Sequence, residues 1–530
     1  MKMRLSLGNV RARSLKVGSG AVLAAAAIGS HPTTTLAAPY ASNVQIAGNT
    51  VSFILNEPAD LLNVAINGGV PQILDGSSAG TKIFTLPSAS STFSINAQKT
   101  DTVGYRIPTG VNQGSASGGL SLATLQGGTR YVGDTNAAIT HFNSPRGVSV
   151  STNPNQPNFG TAYVANSAAG TSSGRTLGDG LYAMHGDLSD GFGYGDNAQA
   201  ASLNFAGSSN SPFKIHAAAD GYVYISDFSD ANGQIARMNS NLTTGELVLA
   251  TAGGTVNATT PDLPAGQNHG STLAVHAAIG ANGGITLYTL DEDLSSGHVA
   301  GGSNSGDYNS LWRYDIGNAA LPYADMPTQL NHLLIGLKTS STNPTAIIST
   351  SDVDRGADGK LYLSQSRAAG NETGLYVLAS DGSTVLFDSL AASRTLLGNA
   401  SAKDILTNVM ATAVSPDQKY VALMLNGSDV AVLPLVDGIP QLDQRTIIDT
   451  GSDINSGRDI AFDAADNIYY VSSGQQTFRI LSPGGFTSTT LSYDGSQYAF
   501  TNAVPEPGTF GVIGVGVGVL AAGRRRRRIR

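Results

Sequence analysis

One pattern, recurring along residues 144–473, limits what this chain can fold into more than any other feature. The stretches SPRGVSV…GTAYVANS (144–167), SPFKIHAAADGYVYISD (211–227), LAVHAAIGANGGITLYTLD (273–291), VDRGADGKLYLSQ (353–365), TAVSPDQKYVALML (412–425) and RDIAFDAADNIYYVSS (458–473) share one plan. Each has an apolar strand, a run of small residues closing on a turn such as Asp220-Gly221 or Asp358-Gly359, and a second strand of the Tyr-Val-Tyr-Ile kind. A less regular third strand follows, as in GLYAMHG, GQIARMN, SLWRYDI, GLYVLAS, DVAVLPL and TFRILSP. The Asp-Gly pairs supply the positive φ that a tight hairpin needs. Such small sheets bury their faces only by stacking on one another.

With Val148, Ile215, Val275, Val353, Ala413 and Ile460 as anchors, the units are spaced by 67, 60, 78, 60 and 47 residues. Blade-sized units with loops of varying length predict a β-propeller of six or seven blades, seven favoured. Weaker stretches such as LATLQGGTRYVG (122–133), paired with the final strands, would supply the seventh and clasp the ring. A parallel β-helix is the structural alternative; its repeats would be shorter and more regular. Ahead of the array, residues 43–99 alternate apolar and polar, as at Val51, Phe53 and Leu55 and at Phe93 and Ile95. Alternation bounded by turn residues means half-buried strands. Five or six of them predict a small β-sandwich of immunoglobulin-like type. NQGSASGG (112–119) closes a linker. The predicted organisation is a leader at 1–38, a sandwich at 39–100, a linker at 101–118, a propeller at 119–503 and a tail at 504–530, all-β apart from the two ends.

Composition agrees. Charged residues are 13%, aromatics 7%, and glycine reaches 64 of 530 residues, which suits short strands and tight turns. The absence of cysteine excludes disulfides, thiolate zinc sites and cysteine nucleophiles. The net charge of −8 conceals a partition. Eleven of the 30 basic residues lie in the two tails, with Glu506 the one acid there, so 19 basic and 37 acidic residues remain between and that span carries about −18. A body of that sign repels nucleic-acid backbones and anionic lipid.

The two ends read as addresses. A basic region to Lys16, an apolar run over about 17–28 and small residues at Thr35-Leu36-Ala37-Ala38 have the form of a secretory signal peptide, cut by signal peptidase. At the other end stand Val504-Pro505-Glu506-Pro507, an apolar run from Thr509 to Gly523, and the cluster Arg524, Arg525, Arg526, Arg527 and Arg528. Fifteen residues of helix reach ~22 Å, short of a ~30 Å hydrocarbon core. The arginines stay cytoplasmic, leaving the body outside. This tripartite tail resembles the bacterial PEP-CTERM sorting signal. The resemblance implies recognition of Pro-Glu-Pro by the membrane enzyme exosortase, transient lodging in the inner membrane by a short transmembrane helix, and release to the cell surface or extracellular matrix.

The repeat motif is similar to NHL/SMP-30-like propeller repeats, and propellers carry ligands at one end of the central channel. Polar residues just after the second strand are therefore candidates: Asn166, Asp227, Asp291, Gln365, Asn426 and Ser473. Converging oxygens there would hold Ca²⁺, with Asp227 and Asp291 as the charged ligands. In SMP-30-like hydrolases such ligands hold a catalytic divalent metal. Turn-capping and solvation is the alternative role. His216 and His276 take equivalent places in two units, as channel ligands or as shared core residues. Asp187, Asp190 and Asp196 form a Gly/Asp loop that also suits Ca²⁺ or simple solvation. No H-E-x-x-H or P-loop is present. The expectation is an exported, exosortase-processed surface protein whose propeller binds extracellular polysaccharide or matrix components without catalysis. The alternative is a secreted metal-dependent hydrolase, of lactonase or glycan-cleaving type, on the same scaffold.

Overall fold

The computed structural model describes residues 38–100, 140–203, 205, 211–228, 235–249, 272–291, 310–318, 330–333, 350–366, 372–425, 429–449, 456–483 and 486–503. Almost all regular structure among them is β-strand; the one α-helix, α1 (Ser389–Leu397), starts on the Asp388 side chain and stops at Gly398.

Six antiparallel sheets account for the repeat array among the described residues. Their first strands are Pro145–Val150, Ile215–Ala217, Thr272–Ile279, Thr350–Arg355, Val409–Val414 and Gly457–Phe462. Each neighbours the next, and the last neighbours the first, so the six close a ring around a central axis. This is a β-propeller. Second strands such as Ala162–Asn166, Val223–Ser226 and Leu361–Gln365 and third strands such as Gly180–Met184, Ile235–Met238 and Leu375–Leu378 follow outward. Between adjacent sheets the two faces share one apolar core: Tyr224 and Val248 of the second pack with Leu287 and Trp312 of the third. Trp312, 1% exposed, is blade core.

The turn from first to second strand is not the two-residue hairpin that Asp-Gly suggests. In the second blade Gly221 N donates to Ala218 O while Ala218 N donates to Tyr222 O, a three-residue loop with its last residue left-handed. The left-handed place is taken by Gly221 (φ 87°), Gly283 (78°) and Gly359 (91°), then by Gln418 (63°) and Asp466 (62°) in the last two blades. Five of the six first strands also carry a β-bulge near their start, at Arg146, Leu273, Ser351, Met410 and Arg458. That extra residue corrects the repeat register: the fifth-blade partner of Val353 and Ile460 is Thr412, one residue before the anchor Ala413.

Ring closure uses residues just ahead of the first blade. His141 bridges to Thr477 on the outer strand of the sixth blade, and Phe142 N donates to Gln476 O at 2.9 Å. The stretch 122–133, expected to form this clasp, lies outside the described residues.

The N-terminal domain is a two-sheet sandwich, but not from residues 39–100 alone. One sheet orders Ala41–Ala47, Thr50–Leu55 and Gly80–Thr85. The other joins Gln72–Leu74, Leu61–Ile66 and Phe93–Thr100 to Phe486–Tyr493 and Tyr498–Ala503, which the sequence reading placed in the propeller. Phe93–Thr100 pairs with Phe486–Tyr493 along its whole length. Val51, Phe53, Leu62, Val64, Ile95 and Leu491 fill the core between the sheets. The sandwich rests on the strand-one-to-strand-two turns of blades one and six: Asn43 N donates to Phe159 O, and Ala38 N to Asn467 Oδ1 at 2.6 Å. Tyr40, fully buried, sits edge-on to both Phe159 and Phe500.

Candidate functional site

The inner strands enclose a cavity of about 480 Å³ on the axis. Its polar lining comes from two rows of side chains that alternate with the apolar anchors. The first residue after the bulge level is Lys214, Asp352 or Asp459; two residues on stand Ser149, His216, His276 and Asp354. Alternation decides this: anchors point into the inter-blade cores, so their neighbours face the axis side.

The rows are stitched from blade to blade. Ser149 Oγ accepts from Ala217 N at 2.9 Å, and His216 Nδ1 from Ala277 N at 3.0 Å. Asp352 Oδ2 accepts from Thr412 N at 3.0 Å, Asp354 Oδ2 from Val414 N at 2.6 Å, and Asp459 Oδ2 from Val148 N at 2.8 Å. In every case the acceptor belongs to one blade and the N–H to the next, and Asp459 joins the sixth to the first. Lys214 Nζ crosses the axis to Asp459 Oδ1 at 2.6 Å and Asp352 Oδ2 at 3.2 Å.

His216 and His276 are brought together as the sequence suggested. Their rings stack with centroids 4.1 Å apart. His276 Nδ1 lies 2.8 Å from Asp354 Oδ1, a close polar contact without the alignment of a hydrogen bond. Because His216 Nδ1 accepts a backbone N–H, its neutral form carries the proton on Nε2. Burial, then the neighbouring His276, depresses the His216 pKa to about 3, against the pull of Asp354. Burial pushes Asp459 up to about 7, with Lys214 opposing and Asp352 reinforcing. Asp352 is raised, again by burial first. Asp354 is also penalised by burial, yet the His276 contact and the Val414 N–H hold it below the usual carboxylate range.

Of the residues chosen for their place after the second strand, Asn166, Asp227, Gln365 and Ser473 do not line this cavity. Asn166 is buried and holds its own blade's connections, accepting from Ser144 N and donating to Ala168 O and Gly178 O. Asp227 accepts from Ser211 Oγ, and Gln365 Nε2 donates to Thr373 O at 2.6 Å. Ser473 accepts from Arg458 Nε. Asp291 ends a strand, but its side chain lies outside the described residues, as does Asn426. Asp187 and Asp190 close local turns through Ser189 and Tyr194, while Asp196 pairs with Arg175 at 2.6 Å. Among the described residues no group of three or more His, Asp or Glu is placed to hold a metal ion.

Sequence reasoning did not place Lys214, Asp352, Asp354 or Asp459 in the channel. The signal was there: a charge in the first strand directly beside an anchor.

The tail was matched independently. Residues 503–528 fit the PEP-CTERM protein-sorting motif. The motif marks an exported protein that transits the membrane, is processed by exosortase and is sorted to the surface. Residues 504–530 lie outside the described residues, and no described helix is long and apolar enough to cross a membrane. No curated protein matches the chain. Among solved structures, a structural genomics protein of unknown function from Bacteroides thetaiotaomicron VPI-5482 aligns with a TM-score of 0.39 at 11% identity, over 84% of this chain and 98% of that one. The WD40 β-propeller domain of Doa1 aligns at 0.32 and 10%, over 64% and 94%.

Proposed function

We propose that the exported body is a non-catalytic binding module for extracellular polysaccharide or other matrix components. One observation carries this reading: the aspartates around the axis are committed to blade-to-blade hydrogen bonds, two of them also to Lys214, so their arrangement is a fixed frame. A general base has to be free to exchange a proton with substrate. Here Asp352, Asp354 and Asp459 each carry a neighbour's backbone N–H. The sandwich is of immunoglobulin-like type and the propeller of NHL/SMP-30-like type in this proposal, supported by the two-sheet core and by the recurring left-handed glycine turn. Signal peptidase would remove the leader ahead of the sandwich.

The test is retention of the full-length protein on a polysaccharide array followed by assay of the eluted glycan. Retention with intact glycan supports the module. Glycan or lactone turnover that needs a divalent metal and is lost in Asp227→Ala or Asp291→Ala would instead establish the metal-dependent hydrolase.

A further inference from the structure

The ring of inner strands is lopsided at one level. With Thr412 as the fifth anchor, the residues just past the anchors are Ser149, His216, His276, Asp354, Ala413 and Ala461 in blade order, and all six line the cavity. Blades two, three and four thus form a polar wall. In a closed ring of six, Ala413 stands opposite His216 and Ala461 opposite His276. Two methyl groups leave the axis unfilled there, and the space of about 480 Å³ falls within the ~300–1,000 Å³ of small-ligand sites. The floor lies two residues back. No lining residue precedes Lys214, Asp352 or Asp459 on its own strand, and Lys214 Nζ spans the axis at that level. The other end lies among turn residues, Ala219, Gly356, Ala357 and Gln418 of blades two, four and five, whereas the sandwich rests on the turns of blades one and six. The cavity is a blind pocket.

The two imidazoles of the polar wall keep unused nitrogens. His216 Nδ1 accepts from Ala277 N at 3.0 Å, which leaves Nε2–H as a donor. His276 Nδ1 is 2.8 Å from Asp354 Oδ1, so its neutral form fits with the proton on Nδ1 and Nε2 as an acceptor. Among the described residues neither Nε2 has a hydrogen-bond partner. His276 is only 8% exposed, and a polar atom so enclosed costs stability until something pairs with it. The rings stack 4.1 Å apart, so one donor and one acceptor are carried on adjoining rings. We propose that this pocket takes the terminal residue of a neutral glycan, its hydroxyls on His216 and His276 and a C–H face on Ala413 and Ala461. The glycan part rests on the binding-module reading above. A hydroxyl both donates and accepts, and the imidazole pair answers it in both directions; an anion needs donors alone and a cation acceptors alone. The charges of the lining are already partnered. Asp352 and Asp459 flank Lys214, Asp354 accepts from Arg355 N and Val414 N, and Arg355 lies over the Tyr288 ring, 6.0 Å from its centroid. His216, depressed to about 3 by burial, brings no charge near neutral pH. Because the floor bars passage, a chain enters by its end.

Calorimetric titration of the full-length protein with glucose, galactose, mannose and N-acetylglucosamine, and with sodium glucuronate as the charged comparator, tests the pocket. At least one neutral sugar is expected to bind, equally well in EDTA, because the ring nitrogens meet the hydroxyls directly. His216→Asn keeps an acceptor for Ala277 N and loses the Nε2 donor; His276→Phe keeps the stacked ring and loses the Nε2 acceptor. Each should weaken the bound sugar about tenfold. Circular dichroism melts establish that the variants fold. Nitrogen NMR spectra of histidine-labelled wild type decide the matter if they do not: two of the eight histidines should shift when the sugar is added. The pocket is overturned if no neutral sugar binds, if EDTA abolishes binding, if both variants bind equally well, if no histidine shifts, or if glucuronate binds as tightly. Retention of a polysaccharide on the array with no binding of any of these sugars overturns the pocket alone and leaves the binding-module reading standing. Sugar binding lost in the histidine variants, without retention of any polysaccharide, supports the pocket and overturns the polymer reading.

Discussion

Lys214 Nζ stands 2.6 Å from Asp459 Oδ1, and this contact ties the second blade to the sixth across the axis. Both side chains are about 4% exposed, and Asp352 lies on the other flank of the ammonium at 3.2 Å. A buried cation between two carboxylates contributes little against an apolar replacement of the whole set, but removing one member strands the others. Lys214→Met should therefore cost about 3–5 kcal/mol in urea unfolding at pH 8. The deficit should shrink as pH falls through 7, because Asp459, already raised to about 7, takes up a proton instead. A deficit that stays constant from pH 8 to pH 5 would contradict the electrostatic account.

Asp466 occupies a left-handed turn position (φ 62°) that glycine fills in the second, third and fourth blades, and its Oδ2 accepts from Asn502 Nδ2 at 2.7 Å. Burial, then Asp417 and Asp463, lift it to about 8. A carboxyl raised in the folded state contributes stability that is complete below the ordinary carboxylate range and is lost as pH rises through 8. Asn is neutral at all pH and tolerates the same backbone. Asp466→Asn should match wild type near pH 5 and melt about 2–4 °C higher at pH 9. Equal melting temperatures at pH 9 would show that the turn is indifferent to this charge.

His216 works in the opposite sense. Its folded pKa is depressed to about 3, so its contribution is complete above about 6.5 and drains away as pH falls through 3. Replacement by Asn keeps an acceptor for the Ala277 N–H and removes the titration. Between pH 6.5 and 4 the melting temperature of wild type should fall relative to His216→Asn. The difference between the two proteins is the quantity to follow, because Asp459 and Asp463, raised to about 7 and 6, gain stability over the same window.

The ring seam can be opened at Phe142, which is fully buried beside Tyr182 with ring centroids 5.4 Å apart. Phe142→Ala should cost about 3–5 kcal/mol. Hydrogen exchange should show protection lost first along 477–481, the strand that the clasp covers. Uniform loss over all six blades would mean the seam is not the weak point.

Removing residues 486–503 takes away the two strands that complete the larger sheet of the sandwich. Val64, Ile95 and their neighbours then face water on an open sheet. Limited proteolysis of this truncation is expected to cut within 41–100 and to spare 145–481. Protection of both regions would show that the first six strands suffice.

The blades were legible because their strands speak locally: tyrosine and valine alternate, and a turn signal comes at a constant place. The fifth-blade anchor was placed one residue late, at Ala413, because the residue two after the bulge is the polar Thr412 while Ala413 is apolar. The partnership of Phe93–Thr100 with Phe486–Tyr493 leaves no local mark at all. Thr490 and Asn96 are opposite one another although 394 positions apart in sequence, and either strand alone reads as an ordinary half-buried segment. The channel was half legible. His216 and His276 stood out by their equivalent places, whereas Asp352, Asp354 and Asp459 look like solvated acids until the ring gives each a neighbour's N–H.

Because its last two strands finish what its first residues begin, the sandwich has an imposed timetable. Strands from 41 onward are synthesised early and wait, incomplete, while nearly four hundred residues follow. Only when Tyr498–Ala503 arrives can the sheet be sealed, and the very next residue is Val504 of the sorting signal. Completion of the fold and presentation of the cleavage signal are thus consecutive events on one polypeptide, and a chain that stalls short of the signal is also a chain with an unfinished domain.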